Sequence, residues 1–153
     1  MDAFRHVLVV IDAADEQHKA LKRGLHMARL SDARLTLFLS IYDFSYEMTT
    51  MLSSEERDIM RSNLIADRKA WLTDLLSEFD TDAIAIDISV VWHNRPFEAI
   101  IREAIKHKHD LIIKGTQVSA SFQNLIFTPT DWHLLRKAPC PVLLVKEHEW
   151  PSH

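Results

Sequence analysis

Five short apolar runs recur along the chain, and between them the apolar residues change to helical spacing. The runs are His6–Ile11, Arg34–Tyr42, Ile84–Val91, Leu111–Ile113 and Val142–Val145. The first is continuous rather than alternating (Val7-Leu-Val-Val-Ile11), the pattern of a strand covered on both faces. Ala14 to Leu30 carries Leu21, Leu25 and Ala28 on one helical stripe. A longer helix is expected from Ser54 to about Phe79, with Ser53 or Ser54 as its N-cap and Ile59, Leu64, Trp71, Leu72 and Leu75 as its apolar stripe. Pro96 opens a third helix, whose apolar face is Phe97, Ile100, Ile101, Ala104 and Ile105. A fourth runs over 128–137, capped by Thr128 with Pro129 in its first position. Strict alternation of strand and helix predicts an α/β fold: a three-layer, doubly wound, Rossmann-like parallel sheet of five strands with right-handed crossovers. In such sheets ligands bind at the carboxyl ends of the strands. The residues to examine are therefore those just after each run.

A chain of 153 residues suits one domain, here 1–147, and can bury a core without disulfide or metal. Residues 148–153 read as the start of a linker or tail. The net charge of −4, with signs interspersed, leaves no electrostatic footprint for nucleic acid and no basic face for a membrane. No apolar run approaches the ~20 residues of a membrane span. The N-terminus lacks signal-peptide character, and the single cysteine, Cys140, excludes an internal disulfide. These features predict a cytoplasmic protein. There are two glycines, Gly24 and Gly115, whereas phosphate-cradling loops usually need several.

Three stretches carry a resemblance that covers essentially the whole chain. They are Val9-Val-Ile-Asp12, His109-Asp-Leu-Ile-Ile-Lys-Gly-Thr116 and Ala138-Pro-Cys-Pro-Val-Leu-Leu-Val145. They are similar to the universal stress protein family, whose fold is of the adenine-nucleotide α-hydrolase-like type. Ile41-Tyr-Asp-Phe-Ser-Tyr-Glu-Met-Thr-Thr50, Val91-Trp-His-Asn-Arg-Pro-Phe-Glu-Ala-Ile-Ile101 and Phe127-Thr-Pro-Thr-Asp-Trp-His-Leu-Leu-Arg-Lys137 resemble the first half of the family's tandem, two-domain type. The resemblance implies a sheet order of 3-2-1-4-5 and pairing through the fifth strand, Val142–Val145. The mate would be a second such domain or an identical chain. An exposed apolar strand edge invites such pairing on physical grounds as well.

The family's nucleotide-binding members carry Gly-x-x-Gly, nine residues, then Gly-Ser or Gly-Thr. Laid on this chain, the pattern falls on Gly115, Val118, Thr128 and Pro129, so one position of four is kept. Val118 disfavours the positive φ a glycine can take. Pro129 has no amide hydrogen to offer at the helix N-terminus where phosphate would sit. The Thr128 hydroxyl is expected to act as a cap acceptor. Each lost charge-assisted contact is worth about 1.5–3 kcal/mol. Tight ATP binding in the family's manner is therefore not expected, and no cofactor is required. Val10, Asp12, Ile41 and Lys114 match other pocket positions, Asp12 being the one that hydrogen-bonds adenine in the family. As a residue it reads equally as a turn aspartate. Lys114 either attracts an anion or extends into solvent.

The remaining candidates favour structural roles. His107, His109 and Asp110 suggest a metal, but no third ligand has a convincing spacing. His93 and Arg95 follow the third strand, and Arg95 reads as a solvated loop residue. Cys140 reads as a small packing residue, although Arg136 and Lys137 could lower its pKa. Asp131-Trp132-His133 has an acid and a base without a nucleophile, and Trp132 and Leu135 are expected to pack the fourth helix. Phe44, Met48 and Met51 are expected to pack beneath a long loop, or else to form a flexible apolar cover. The leading functional reading is a non-enzymatic stress-response module with a degenerate nucleotide site, acting by pairing and through a small-molecule ligand. The alternative is an adenine-nucleotide binder or slow ATPase using Asp12, Gly115 and Thr128. A third reading is a carrier of an amphiphilic metabolite beneath residues 43–53.

Overall fold

A computed structural model of the chain describes residues 3–48, 50–118, 125–126 and 128–146. The expected tail, 148–153, lies outside the described residues. The strands are β1 (His6–Val10), β2 (Arg34–Ile41), β3 (Ile86–Trp92), β4 (Leu111–Val118), β5 (Leu125–Ile126) and β6 (Val142–Lys146). The helices are α1 (Lys19–Ser31), α2 (Phe44–Met48), α3 (Ser54–Leu76), α4 (Pro96–Lys106) and α5 (Pro129–Lys137). Five strands form a parallel sheet in the order β3-β2-β1-β4-β6. This is the expected 3-2-1-4-5 arrangement, with β6 as the fifth parallel strand.

The register centres on Val9, which lies opposite Leu37 on one side and Ile113 on the other. Strand geometry sends alternate side chains to opposite faces. Val7, Val9, Leu35, Leu37, Leu111 and Ile113 pack on the face covered by α1 and α3, while Leu8, Phe38 and Ile112 pack under α4 and α5. The continuous apolar runs are thus explained by a sheet with two cores. Gly24 brings α1 down onto β1, because a Cβ there would lie 2.3 Å from Val9 Cγ2.

The helix ends show local chemistry at work. Ser53 and Glu56 form a reciprocal capping box at the start of α3, as the sequence suggests. By contrast, α1 begins at Lys19, later than the apolar spacing implies. Asp15 accepts the backbone N–H of Gln17 (3.0 Å) and His18 (3.1 Å), and His18 takes a left-handed conformation (φ 50°) before the helix starts. Side-chain competition for backbone donors therefore holds 12–18 as turns. β4 also runs past Ile113 to Val118, where Gln117 and Val118 pair antiparallel with the two-residue β5, an element absent from the sequence reading.

Two packing expectations are corrected. Phe44, Met48 and Met51 are 63%, 62% and 89% exposed, so they do not pack beneath the 43–53 segment. Trp132 and Leu135 are also about half exposed and do not anchor α5. Leu134 and Asp131, both fully buried, face the sheet instead.

Candidate functional site at the carboxyl edge of the sheet

A cavity of about 640 Å³ opens at the carboxyl ends of β1, β2 and β4. It gathers six of the residues singled out from sequence: Val10, Asp12, Ile41, Lys114, Gly115 and Thr128. Strand geometry accounts for this. Val10 ends β1 and its register partner Lys114 lies where β4 passes that end, while Ile41 closes β2. Pro129 does not line the cavity; it is the first residue of α5. The side chain of Val118 lies outside the described residues.

Lys114 departs from both expectations. Its Nζ lies 2.7 Å from Oδ1 of Asp131, a carboxylate with no solvent exposure, so the lysine lines the cavity with its charge already paired and its side chain mostly covered. Asp131 serves α5 as well. Its Oδ2 accepts the Thr128 N–H at 2.9 Å, and the Thr128 hydroxyl accepts the Asp131 N–H at 3.2 Å. Pro129 lacks an amide hydrogen and the Asp131 N–H is bonded within the cap, so two of the first three donor positions of α5 are unavailable, while Thr130 lines the cavity. A carboxylate at a helix N-terminus also offsets the positive end of the helix dipole. The place that would attract phosphate already holds a negative charge and a neutralising lysine.

Asp12 is exposed, and its Oδ1 accepts the N–H of Ala14 at 2.9 Å, the turn role for which aspartate is suited. Thr116 lines the same cavity. It is 3% exposed, and its hydroxyl has no hydrogen-bond partner among the described residues.

Sequence reasoning missed the other walls. Tyr42 and Trp92, 5.7 Å apart, stand at the ends of β2 and β3, while Leu64 and Arg68 reach in from α3 and His18 from the loop before α1. Trp92 was visible as a carboxyl-edge residue, because it follows the third run directly. Arg68 was not, since nothing in a helical stripe shows which polar position overhangs a neighbouring strand.

The other candidates lie elsewhere. Arg95 is an exposed residue at the start of α4, paired with Glu98 at 3.1 Å, and His93 Nδ1 accepts its backbone N–H. His109 sits at the opposite, amino end of the sheet. Its Nε2 is 3.2 Å from the Thr36 hydroxyl, and Asp110 accepts the N–H groups of Arg5 and His6. Among the described residues no group of three or more His, Cys, Asp or Glu is placed to hold a metal. Cys140 packs with Ala138 and Val142, and burial, with a smaller effect from Asp110, raises its pKa rather than lowering it. No helix among the described residues is long and apolar enough to cross a membrane.

A parallel doubly wound sheet with a cavity at its carboxyl edge defines a ligand-binding class of α/β domain. Comparison with known proteins places the chain within that class. The universal stress protein family profile matches residues 3–146, and the chain belongs to this family. It is 46% identical over 152 residues to universal stress protein E of Escherichia coli (strain K12), covering 99% of this chain and 48% of that protein. The chain thus spans about half the length of the curated relatives it matches. Among solved structures, universal stress protein UspA from Lactobacillus plantarum is similar at TM-score 0.69 and 21% identity, covering 93% of this chain and 97% of that one. A universal stress protein solved in complex with cAMP is similar at TM-score 0.59 and 19% identity, covering 95% and 99%.

Proposed function

We propose that this chain is a non-catalytic pairing module of the stress response whose nucleotide site has been closed to polyphosphate. The observation that carries the reading is the Lys114–Asp131 pair beneath the start of α5, joined to the Thr128 cap and the missing amide of Pro129. Together they neutralise the charge, and remove two of the helix-start donors, that an anion would use. The cavity persists, so a ligand without a phosphate chain remains compatible with it.

Pairing through β6 is supported by the edge itself. β6 is bonded to β4 on one side and to no strand on the other among the described residues. On α5, His133 stacks on Phe97 of α4 and Lys137 lies over the same ring. Helical geometry then turns the exposed Trp132 and Leu135 to the opposite flank, toward the open side of β6. A strand edge beside exposed apolar groups suits a second domain of this family, in the same polypeptide or in another.

The test is calorimetric titration of ATP with Mg²⁺ into the chain and into a Val118→Gly, Thr128→Gly, Pro129→Ser, Asp131→Ala variant, the last change removing the carboxylate that holds Lys114 and the Thr128 N–H. Absence of heat from the parent, with binding by the variant, is the expected result. Micromolar binding by the parent would overturn the closed-site reading. It would favour a second one, adenine-nucleotide binding through Asp12, Gly115 and Thr128. That reading is supported by the retained cavity and the unpartnered Thr116 hydroxyl, and by the cAMP complex of a distant relative.

A further inference from the structure

The helix that reaches the open edge, α1, is basic, although Arg29 in its last turn is paired with Asp80. α1 carries Lys19, Lys22, Arg23, His26 and Arg29, with no acidic residue from Lys19 to Ser31, in a chain whose net charge is −4. Lys19, Lys22, Arg23 and His26 line a shallow groove whose other wall is Val145 and Lys146 of β6. On the other face of the sheet, α5 ends in Arg136 and Lys137, and its one carboxylate, Asp131, is buried against Lys114. Lys137 lies over Phe97 toward α4, so among the described residues the positive charge offered to whatever pairs at β6 comes mainly from the α1 side.

This arrangement discriminates between mates. Two identical chains joining β6 to β6 antiparallel would be related by a two-fold axis perpendicular to the sheet. That axis keeps α1 of both copies on the same face. α1 packs across β1 and β4 and reaches β6, so with strands about 4.8 Å apart the two copies of α1 would stand about 19 Å from each other, their groove-lining side chains pointing into the space between. Because α1 contains no acid, every register of the two strands sets cation against cation. The apolar flanks at Trp132 and Leu135 would meet favourably on the other face, so the charge conflict is confined to the α1 side. We infer that the mate of β6 is a related domain bearing acidic side chains on the helix opposite α1, not a second copy of this chain. The inference rests on the proposed pairing through β6 and adds the chemistry of the partner. Complementary charge across an interface acts mainly on partner choice and on association rate, and like charges brought together penalise the wrong partner.

A charge-reversed chain supplies the acidic mate for the test. Lys22→Glu and Arg23→Glu are exposed substitutions and leave the buried face of α1 intact. Sedimentation velocity at low salt is run on the parent, on the reversed chain and on their mixture. The expected result is a mixed dimer at least about tenfold tighter than the parent homodimer, with the difference vanishing near 1 M salt, where the screening length falls to about 3 Å. A parent homodimer as tight as the mixed one, or no association in the mixture, overturns the inference. A third chain carrying Trp132→Glu and Leu135→Glu separates the two readings. If the mixed dimer survives those changes, the contact lies away from the β6 edge, and the pairing proposal fails along with the inference. If the changes abolish a homodimer that showed no charge preference, pairing at the edge stands and the acidic partner does not.

Discussion

Acidification should destabilise this fold through one buried imidazole. His109 is 5% exposed and stacks on His6 with ring centroids 3.8 Å apart. The proton positions follow from the partners. His6 Nδ1 lies 3.1 Å from the His107 carbonyl, which can only accept, so His6 carries its proton on Nδ1. Its bare Nε2 then accepts from the Thr36 hydroxyl at 2.9 Å, and the Thr36 oxygen accepts from His109 Nε2–H at 3.2 Å. Thr36 thereby serves both rings, the buried Nδ1 of His109 has no hydrogen-bond partner among the described residues, and a proton on His109 adds a charge to a buried stack. Burial foremost, then the neighbouring His6, lower the His109 pKa from 6.5 to about 4, against a smaller upward pull from the Glu103 carbonyl; His107 lowers it further and Asp110 raises it. The folded pKa lies below the unfolded one, so the unfolded chain binds the proton first. The stabilisation is full above about pH 6.5, falls as the pH drops toward 4, and levels off below. A shift of about two and a half units at 1.36 kcal/mol each sets an upper limit of about 3.4 kcal/mol. Urea denaturation at intervals from pH 7.5 to 4 measures it, with His109→Phe as the ring that fills the space but cannot titrate. The parent should lose about 2–3 kcal/mol more than the variant over that range. Equal losses in the two proteins would refute the assignment to His109.

Two further outcomes follow from buried contacts. Lys114→Met leaves the Asp131 carboxylate buried without its cation and should cost about 3–5 kcal/mol in urea denaturation, whereas Lys114→Met with Asp131→Leu should cost less than the single change, apart from about 1 kcal/mol for the lost cap. Gly24→Ala forces a Cβ to within 2.3 Å of Val9 Cγ2 and should lower stability by about 1–3 kcal/mol in a thermal melt, while the exposed neighbour Arg23→Ala should change it by less than about 0.5 kcal/mol.

Much of this architecture was legible because period and capping are local properties. The runs at Val7, Leu35, Ile88, Ile112 and Leu143 became strands, and Ser53, Pro96 and Thr128 marked helix starts correctly. The errors arose where side chains compete with the backbone or where exposure depends on distant packing. Asp15 delayed α1, a contest no hydrophobic period reports. Trp132, Leu135, Phe44 and Met51 are apolar yet exposed, because apolar character permits burial without requiring it. Six of the eight predicted pocket positions reached the cavity because each sits at the carboxyl end of β1 or β2, beside that end on β4, or at the helix start that faces it, the location a doubly wound sheet specifies in advance.

The Lys114–Asp131 contact marks what a motif alone does not supply. The sequence shows the loss of a glycine, of an amide at Pro129 and of a hydroxyl to a cap, which together describe a weakened phosphate site. The structure adds that the vacated charge is replaced. A carboxylate from the helix itself sits at the helix N-terminus, and the strand-end lysine that could draw in an anion is held against it. The distinction matters for stability. A weakened site would still gain RT ln(1 + [L]/Kd) from sufficient nucleotide, so its fold would remain linked to ligand concentration. On the closed-site reading, the Lys114–Asp131 pair has already taken that stabilisation from the protein's own side chains, and the melting temperature should stay independent of ATP. On the pairing reading, this decoupling suits a module whose partner must bind whatever the state of the nucleotide pool. It also explains why the proposed restoration includes Asp131→Ala: changes at 118, 128 and 129 alone would leave the Thr128 N–H and Lys114 bound to that carboxylate.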